Sequence, residues 1–479
     1  MILDEILNIL KKKSKKIAYT IGREKYTYAD LYKYVSNIYE FLKENNEGKK
    51  PVIVFGHKQI YMKAAFLACS FAGMAYVPVD ESIPQERVKS IIDQVNPEII
   101  IGEIKNYKSI SKKEIYDIMN KENYKEIDNI SMKPEDTYYI IFTSGSTGIP
   151  KGVEVSYSNL DSCVNWLKEI TKVDKEVILN QANFSFDLSV ADLYLSLVTE
   201  SEHFIVDSDD KFNYEKIFRE LKNSNANLAI FTPSFADLLL LDKSFNQDLM
   251  PKLNRIIFCG EKLQNKTVEK LYSRFENLQI INSYGPTECT FAVTSVEVPR
   301  NYKNEIPVGR PKKDVEIYVV DENLNELKEN EIGEILITGK SVAKGYIKKV
   351  ERNPFVLYKE EKAYLTGDLG YLKNGDLYYI QRKDKQIKYK GYRIELSDIE
   401  NNVQKLKNVE KAVVVAKKDI QGEVKNIIAF VKTSEDIDKI LMELKKTLPE
   451  YMIPKIKIVN SFPINSNGKC DEKKLLEEL

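Results

Sequence analysis

The stretch that most limits what this chain can fold into runs from Tyr138 to Gly152. Tyr138-Tyr139-Ile140-Ile141-Phe142 is apolar, aromatic and β-branched, which reads as a buried strand. It passes straight into Thr143-Ser144-Gly145-Ser146-Thr147-Gly148-Ile149-Pro150-Lys151-Gly152, with three Gly, four hydroxyl side chains, one Pro and one Lys. Gly permits positive φ, so successive backbone N–H groups can converge on one anion. The hydroxyls add donors, and Lys151 adds a point charge suited to phosphate. A solvated Ser/Gly connection is the plainer fate of such a run. The strand entry and the closing Pro-Lys-Gly argue against it. No Gly-Lys dipeptide completes a G-x-x-x-x-G-K-[ST] loop, so this is a phosphate loop of another kind.

The flanking sequence predicts the fold class. Val52–Phe55, Ala75–Val79 and Glu98–Ile101 read as strands, separated by helices over Ala64–Gly73 and Pro84–Val95. That alternation is the rhythm of a largely parallel sheet with helices on its faces. Residues 102–135 are polar and Lys-rich, and read as a surface connection. Further strands are predicted at 177–180, 228–231, 255–258 and 279–282, and short strands of a third, β-rich layer at 315–320 and 333–339. After residue 383 come strands at 412–416, 426–431 and 456–459 and a helix at 437–448, a small α+β domain. Ser397-Asp398-Ile399-Glu400 reads as a capping box opening a helix.

With 479 residues, two or more domains are expected. Lys+Arg and Asp+Glu both number 72, which offers no case for nucleic acid or a membrane surface as partner. The acidic start Met1-Ile2-Leu3-Asp4-Glu5 is unlike a signal peptide, and the longest apolar stretch, Ala64–Val79, falls short of the ~20 residues of a membrane span. Five scattered Cys without a C-x-x-C suggest reduced thiols in a cytoplasm. With only His57 and His203 present, a His-based zinc site or His-centred triad is nearly excluded, and the chemistry falls to Lys, Asp, Glu, Arg and backbone.

Other motifs follow the phosphate loop in order. Phe184-Ser185-Phe186-Asp187-Leu188-Ser189 precedes a helix, where Asp or Ser usually serves as N-cap. Phe258-Cys259-Gly260-Glu261 and Asn282-Ser283-Tyr284-Gly285-Pro286-Thr287-Glu288 each end a strand. Cys259 alone is more often a small buried hydrophobe, but its place at a strand end suggests that it lines a pocket. Tyr364-Leu365-Thr366-Gly367-Asp368 places a carboxylate at what reads as a Gly-flanked turn, and a carboxylate suits the two O–H donors of a ribose diol. Gln381-Arg382-Lys383-Asp384, Gly391-Tyr392-Arg393-Ile394-Glu395 and Asn465-Ser466-Asn467-Gly468-Lys469 complete the series.

These motifs together resemble the adenylate-forming enzymes, a group that includes acyl-CoA ligases, luciferases and the adenylation domains of nonribosomal peptide synthetases. The resemblance covers nearly the whole chain. It implies a large ATP- and amino-acid-binding domain over 1–383 and a small mobile domain over 384–479, with the hinge at Asp384. It implies that Thr143, Ser144, Gly145, Ser146, Thr147 and Lys151 bind ATP phosphates. It places Tyr284 against adenine, Asn282 beside its amino group, Thr287 on the α-phosphate, Glu288 on Mg²⁺, Asp368 on the ribose, and Arg382 also on ATP. Lys469 becomes the catalytic lysine, touching both ATP and the acid. Gln381 stands where the family has Gly, which could restrict the turn that places Arg382.

The Asp of Phe-Asp-x-Ser binds an α-ammonium in amino-acid-activating members, so Asp187 points to an amino acid substrate. Several phrases are most similar to the D-alanine–D-alanyl carrier protein ligases: Asn180-Gln181-Ala182, Thr232-Pro233-Ser234-Phe235, Phe258-Cys259-Gly260-Glu261 and Ala292-Val293-Thr294-Ser295-Val296-Glu297. By that resemblance Cys259 packs on the substrate Cα and favours the D-enantiomer, with Gly285 and Val293 in the same pocket. The implied partner is a phosphopantetheine-bearing D-alanyl carrier protein, supplied in trans, and the product serves D-alanylation of teichoic acids. Thr199-Glu200-Ser201-Glu202 departs from a Gly-rich turn common in relatives. Competing readings are an adenylation enzyme for another small amino acid, an acyl-CoA ligase, and a nucleotide-binding module without catalysis.

Overall fold

The computed structural model describes residues 1–145, 148–207, 213–350, 353–384, 386–419, 422–463 and 472–477. It divides into two compact units. One comprises Met1–Glu81, Val95–Ile141 and Gly152–Gln381; the other comprises Ser82–Gln94, Phe142–Lys151 and Arg382–Leu479.

The first unit contains two parallel-rich sheets. In one, Val52–Gly56 pairs in parallel with Tyr76–Asp80 and Ile100–Ile101, and Tyr76 is in parallel register with Tyr139 of the strand Thr137–Thr143. In the other, of nine strands, Glu202–Ile205, Val177–Asn180, Leu228–Phe231, Arg255–Phe258 and Gln279–Tyr284 lie side by side in parallel. Alternation along a strand explains why these segments are apolar throughout. Leu228 and Ile230 enter one core, whereas Ala229 and Phe231 enter another on the opposite face. The first core also holds residues of Val52–Gly56 and Thr137–Thr143, and two helices buried along their whole length, Ile60–Ala72 and Leu188–Val198. That packing is what sustains helices with little amphipathic contrast.

A third, antiparallel sheet joins Val315–Val320, Gly333–Gly339, Phe355–Tyr358 and Glu361–Lys373, with Asp376–Arg382 paired to the last. In the second unit, the hairpin Gln386–Tyr389/Tyr392–Glu395 and the three-stranded sheet Val409–Lys418, Val424–Thr433, Lys455–Ile458 pack with the helices Leu396–Gln404 and Ile437–Thr447. The α/β class, the β-rich layer and the small α+β part are thus as expected. Among the described residues no helix is long and apolar enough to cross a membrane.

Local expectations were corrected in three places. The connection 102–135 contains a helix, Lys112–Met119, opened by a Ser111/Glu114 capping box and tied to the core through Ile115 and Met119. Asp368 is not at a turn; it lies within the long strand Glu361–Lys373. The ladder there is irregular, because Glu334 faces Leu369 while Leu336 faces Leu365, and Gly367 takes φ +71 at the resulting bulge. Ser397 caps nothing. The helix begins at Leu396 with Glu395 as N-cap, and the Asp398 carboxylate binds Arg87 at 3.1 Å and Asn402 at 3.0 Å. At the departure noted above, Glu200 takes φ +50, a conformation that a glycine adopts without steric cost.

Candidate active site

The C-terminal end of the strand Gln279–Tyr284 carries the densest group of buried polar residues named above. Asn282, Tyr284, Thr287 and Glu288 are buried, as are Asp187, Cys259 and Asp368 in the same unit. Ligands of open parallel sheets collect at such strand ends.

Asn282 Nδ2 donates to the Pro307 carbonyl at 2.8 Å, while its Oδ1 is buried and accepts no hydrogen bond from the described residues. A buried acceptor left in this state is costly unless a ligand donor meets it. An exocyclic amine is such a donor. Tyr284 is held at both ends: its carbonyl accepts from Val293 N–H at 2.8 Å, and its hydroxyl donates to Asp368 Oδ2 at 2.6 Å. The bulge holds Asp368 from behind, since Asp368 N–H donates to Thr366 Oγ1 at 3.0 Å and Gly367 N–H to Glu334 at 3.0 Å.

Thr287 and Glu288 sit on a short 3-10 turn, Thr287–Cys289. Glu288 Oε1 accepts the Tyr346 hydroxyl at 2.7 Å. Among the described residues no cluster of three or more His, Cys, Asp or Glu is built as a metal cage. A single anchoring carboxylate fits Mg²⁺, which usually takes one or two carboxylates and completes its octahedron with water and nucleotide phosphates.

Backbone forms one wall of the candidate acid pocket. A Cβ on Gly285 would stand 2.5 Å from Ala292 Cα and 2.7 Å from the Phe291 carbonyl oxygen, so only glycine fits. The facing segment is itself strained, with Thr290 at φ +59 and Phe291 at φ +73. The Cys259 thiol reaches the Phe291 carbonyl at 3.8 Å, and Val293 is fully buried. Asp187 occupies the N-cap position of Leu188–Val198 but makes no side-chain cap bond. That helix is anchored further along: Asp192 Oδ1 lies 3.0 Å from Asn180 Nδ2 and 2.9 Å from His203 Nε2, and the buried Lys63 ammonium reaches Ser196 Oγ at 3.3 Å. Burial pushes the Asp192 carboxyl up and the His203 imidazole down, and it brings Lys63 to about 7. His57, the other histidine, lies between Asp80 and Asp207 at 2.8 and 3.2 Å.

The phosphate-loop residues belong to the second unit, whereas Glu288 and Asp368 belong to the first. Gly145 and Gly148 make a tight turn through Gly148 N–H to the Gly145 carbonyl at 3.0 Å, with Gly148 at φ +84. A side chain on Gly145 would collide with the Ile149 carbonyl. Thr143 ends the incoming strand and Lys151 opens the outgoing one. The Ser144 hydroxyl is already engaged, donating to the Arg393 carbonyl at 3.0 Å and accepting from Glu395 N–H at 3.2 Å. Arg382 makes a two-point pair with Asp384, at 3.0 and 2.6 Å. Burial opposes ionisation of Asp384, but the Arg382 guanidinium outweighs it and lowers the carboxyl. Ser146, Thr147 and Lys469 lie outside the described residues. Tyr346 was missed in the sequence, because a lone Gly345-Tyr346 pair carries no periodicity or spacing to mark it.

Comparison with known proteins identifies the family. Residues 8–347 match the AMP-binding enzyme family, and residues 398–469 match the AMP-binding enzyme C-terminal domain. A D-alanine–D-alanyl carrier protein ligase of Listeria monocytogenes serotype 4a is 40% identical over 91% of this chain and 90% of its own length. The Lactococcus lactis enzyme of the same name is 36% identical over 100% and 99%. Among solved structures, the Vibrio cholerae adenylation domain AlmE, in complex with glycyl-adenosine-5'-phosphate, superimposes with a TM-score of 0.84 at 22% identity, covering 100% of this chain and 97% of that one. An artificially fused adenylation–PCP di-domain from Klebsiella oxytoca gives 0.82 at 20% identity, covering 96% and 94%. The chain belongs to the AMP-binding enzyme family and, within it, to the D-alanine–D-alanyl carrier protein ligases.

Proposed function

We propose that this protein activates D-alanine with ATP to D-alanyl-AMP and transfers the D-alanyl group to the phosphopantetheine thiol of a carrier protein supplied in trans. The observation that carries the reading is the buried set Asn282, Tyr284, Glu288 and Asp368, in a chain about 40% identical to ligases of that name.

A carboxylate is a poor acyl donor, because its oxygen is a poor leaving group. Attack of a D-alanine carboxylate oxygen on the α-phosphorus of ATP forms the acyl–phosphate bond and expels pyrophosphate. No general base is required, since the nucleophile is already ionised, and both histidines are committed to carboxylate partners. Asn282 Oδ1 would accept from the adenine amino group, Tyr284 would stack on the ring, and Asp368 would hold the ribose. Thr143, Ser144, the Gly145 turn, Ser146, Thr147, Thr287, Lys151 and Arg382 would bind the phosphates, and Lys469 would meet the charge that develops between acid and α-phosphate, which is the largest catalytic term available. Mg²⁺ held by Glu288 would neutralise phosphoryl charge. Asp187 would hold the α-ammonium, a fitting partner for a buried carboxylate. Cys259, Gly285 and Val293 would bound a pocket for one methyl group. Asp384 is taken as the hinge between 1–383 and 384–479, whose rotation would withdraw Lys469 and admit the thiol while water stays excluded.

The transfer step is tested by incubating the protein with ATP, Mg²⁺, D-alanine and a phosphopantetheinylated carrier. A carrier mass increase of one D-alanyl group, released by hydroxylamine, is expected. Adenylate formation without carrier loading would overturn the transfer assignment.

A further inference from the structure

Residues 343–347 tie Glu288 to the strand that leaves the phosphate loop. The Ala343 N–H donates to the Glu288 backbone carbonyl at 2.9 Å. The next residues are zipped to Lys151–Ser156: Lys344 N–H donates to the Glu154 carbonyl at 2.8 Å, Ile347 N–H donates to the Gly152 carbonyl at 2.9 Å, and Gly345 and Tyr346 face Glu154 and Val153. Gly345 takes φ +139, a conformation that side chains resist, so the segment bends where only glycine is relaxed. From this backbone the Tyr346 hydroxyl reaches Glu288 Oε1 at 2.7 Å, and its ring packs edge-on against Phe355 at 5.4 Å between centroids.

We propose that Tyr346 is a positioning residue: by holding Glu288 Oε1 it fixes the orientation of the carboxylate that would meet the cation, and it ties that orientation to the strand beyond the phosphate loop. This rests on the reading of Glu288 as the Mg²⁺ carboxylate. A glutamate has three side-chain torsions, and one hydrogen bond from a ring wedged in place removes most of that freedom. Partners of this kind, in contact with a ligating group rather than with the metal, commonly govern metal affinity. A phenol that merely satisfied a buried carboxylate would affect folding stability and leave the metal requirement alone.

The test uses the full chain with Tyr346→Phe, which keeps the ring and removes the hydroxyl. Mn²⁺ binding in the presence of α,β-methylene-ATP is followed by electron paramagnetic resonance, and pyrophosphate exchange is titrated with Mg²⁺. Weakening of Mn²⁺ affinity by about 10–100-fold is expected, with exchange recovering as Mg²⁺ is raised. Unchanged or tighter Mn²⁺ binding overturns the inference. Should Tyr346→Phe not fold, Phe355→Leu, which loosens the ring but keeps the hydroxyl, is expected to raise the Mg²⁺ requirement, and an unchanged requirement overturns the inference equally. Glu288→Gln separates the two layers. If it leaves Mn²⁺ binding intact, the Glu288 assignment itself fails. If it weakens Mn²⁺ binding while Tyr346→Phe does not, only the positioning role fails.

Discussion

The Tyr284 hydroxyl donates to Asp368 Oδ2 at 2.6 Å, joining the end of a parallel strand in one sheet to a bulge in another. The ring assigned to adenine and the carboxylate assigned to ribose therefore hold each other in place. Tyr284→Phe should keep the stacking surface but release the carboxylate. Hydrogen bonds to charged groups contribute about 1.5–3 kcal/mol, so KM for ATP should rise roughly tenfold with little change for the amino acid. Asp368→Asn should cost more in kcat/KM, because it removes the charge and turns one of the two acceptor oxygens offered to the ribose diol and Tyr284 into a donor. Steady-state exchange kinetics on both variants check this.

Asp187 stands at a helix N-cap without capping it. Asp187→Asn should therefore not carry the cost of about 1 kcal/mol that goes with a lost cap. KM for the amino acid should rise by about 10–100-fold, the loss of one charge-assisted contact, while KM for ATP holds. Equal effects on both substrates would remove Asp187 from the ammonium site.

Gly285→Ala should be destabilising, by about 1–3 kcal/mol as for other overpacked sites. The added methyl would stand 2.5 Å from backbone rather than from a side chain that could swing away. Relief by movement of 290–292 should disturb the Cys259 and Val293 wall, so amino acid selectivity should fall together with stability. Thermal unfolding and the exchange preference among small amino acids read these separately.

The three-way contact of His57 with Asp80 and Asp207 sets a pH dependence. Burial alone would lower the imidazole, but its interactions with the Asp207 and then the Asp80 carboxylate, which accept from the ring, outweigh it and raise His57 to about 9. A group raised above its unfolded value stabilises the fold fully below that value, near 6.5. The contribution then declines with rising pH and is gone above about 9. Stability should thus fall between pH 7 and 9, and His57→Gln should flatten that fall. Denaturant midpoints across the range measure it.

Much of this was legible in the sequence because chemistry and backbone demands coincide at the same residues. Gly145 and Gly285 are glycines because a side chain would strike backbone, so the motifs that name the site also mark its turns. The buried parallel strands were readable as unbroken apolar runs, since both faces meet a core. What was not legible depended on partners distant in the chain. Ser397 sits in a correct capping pattern, yet Arg87 claims Asp398 and the helix starts two residues earlier, with Glu395 as N-cap. The bulge at Gly367 looks like a turn until the strand Gly333–Gly339 is placed beside it. Tyr346 gains its meaning only from Glu288, 58 positions away.

Amino-acid-dependent ATP–pyrophosphate exchange, compared across D-alanine, L-alanine, glycine, D-serine and a short fatty acid, tests the central assignment most directly. One methyl group is worth only ~1–3 kcal/mol of discrimination, so D-alanine should lead glycine by roughly 10–200-fold, with the fatty acid inactive. Strongest exchange with a different amino acid would contradict the D-alanine assignment, and exchange with none would contradict adenylation itself.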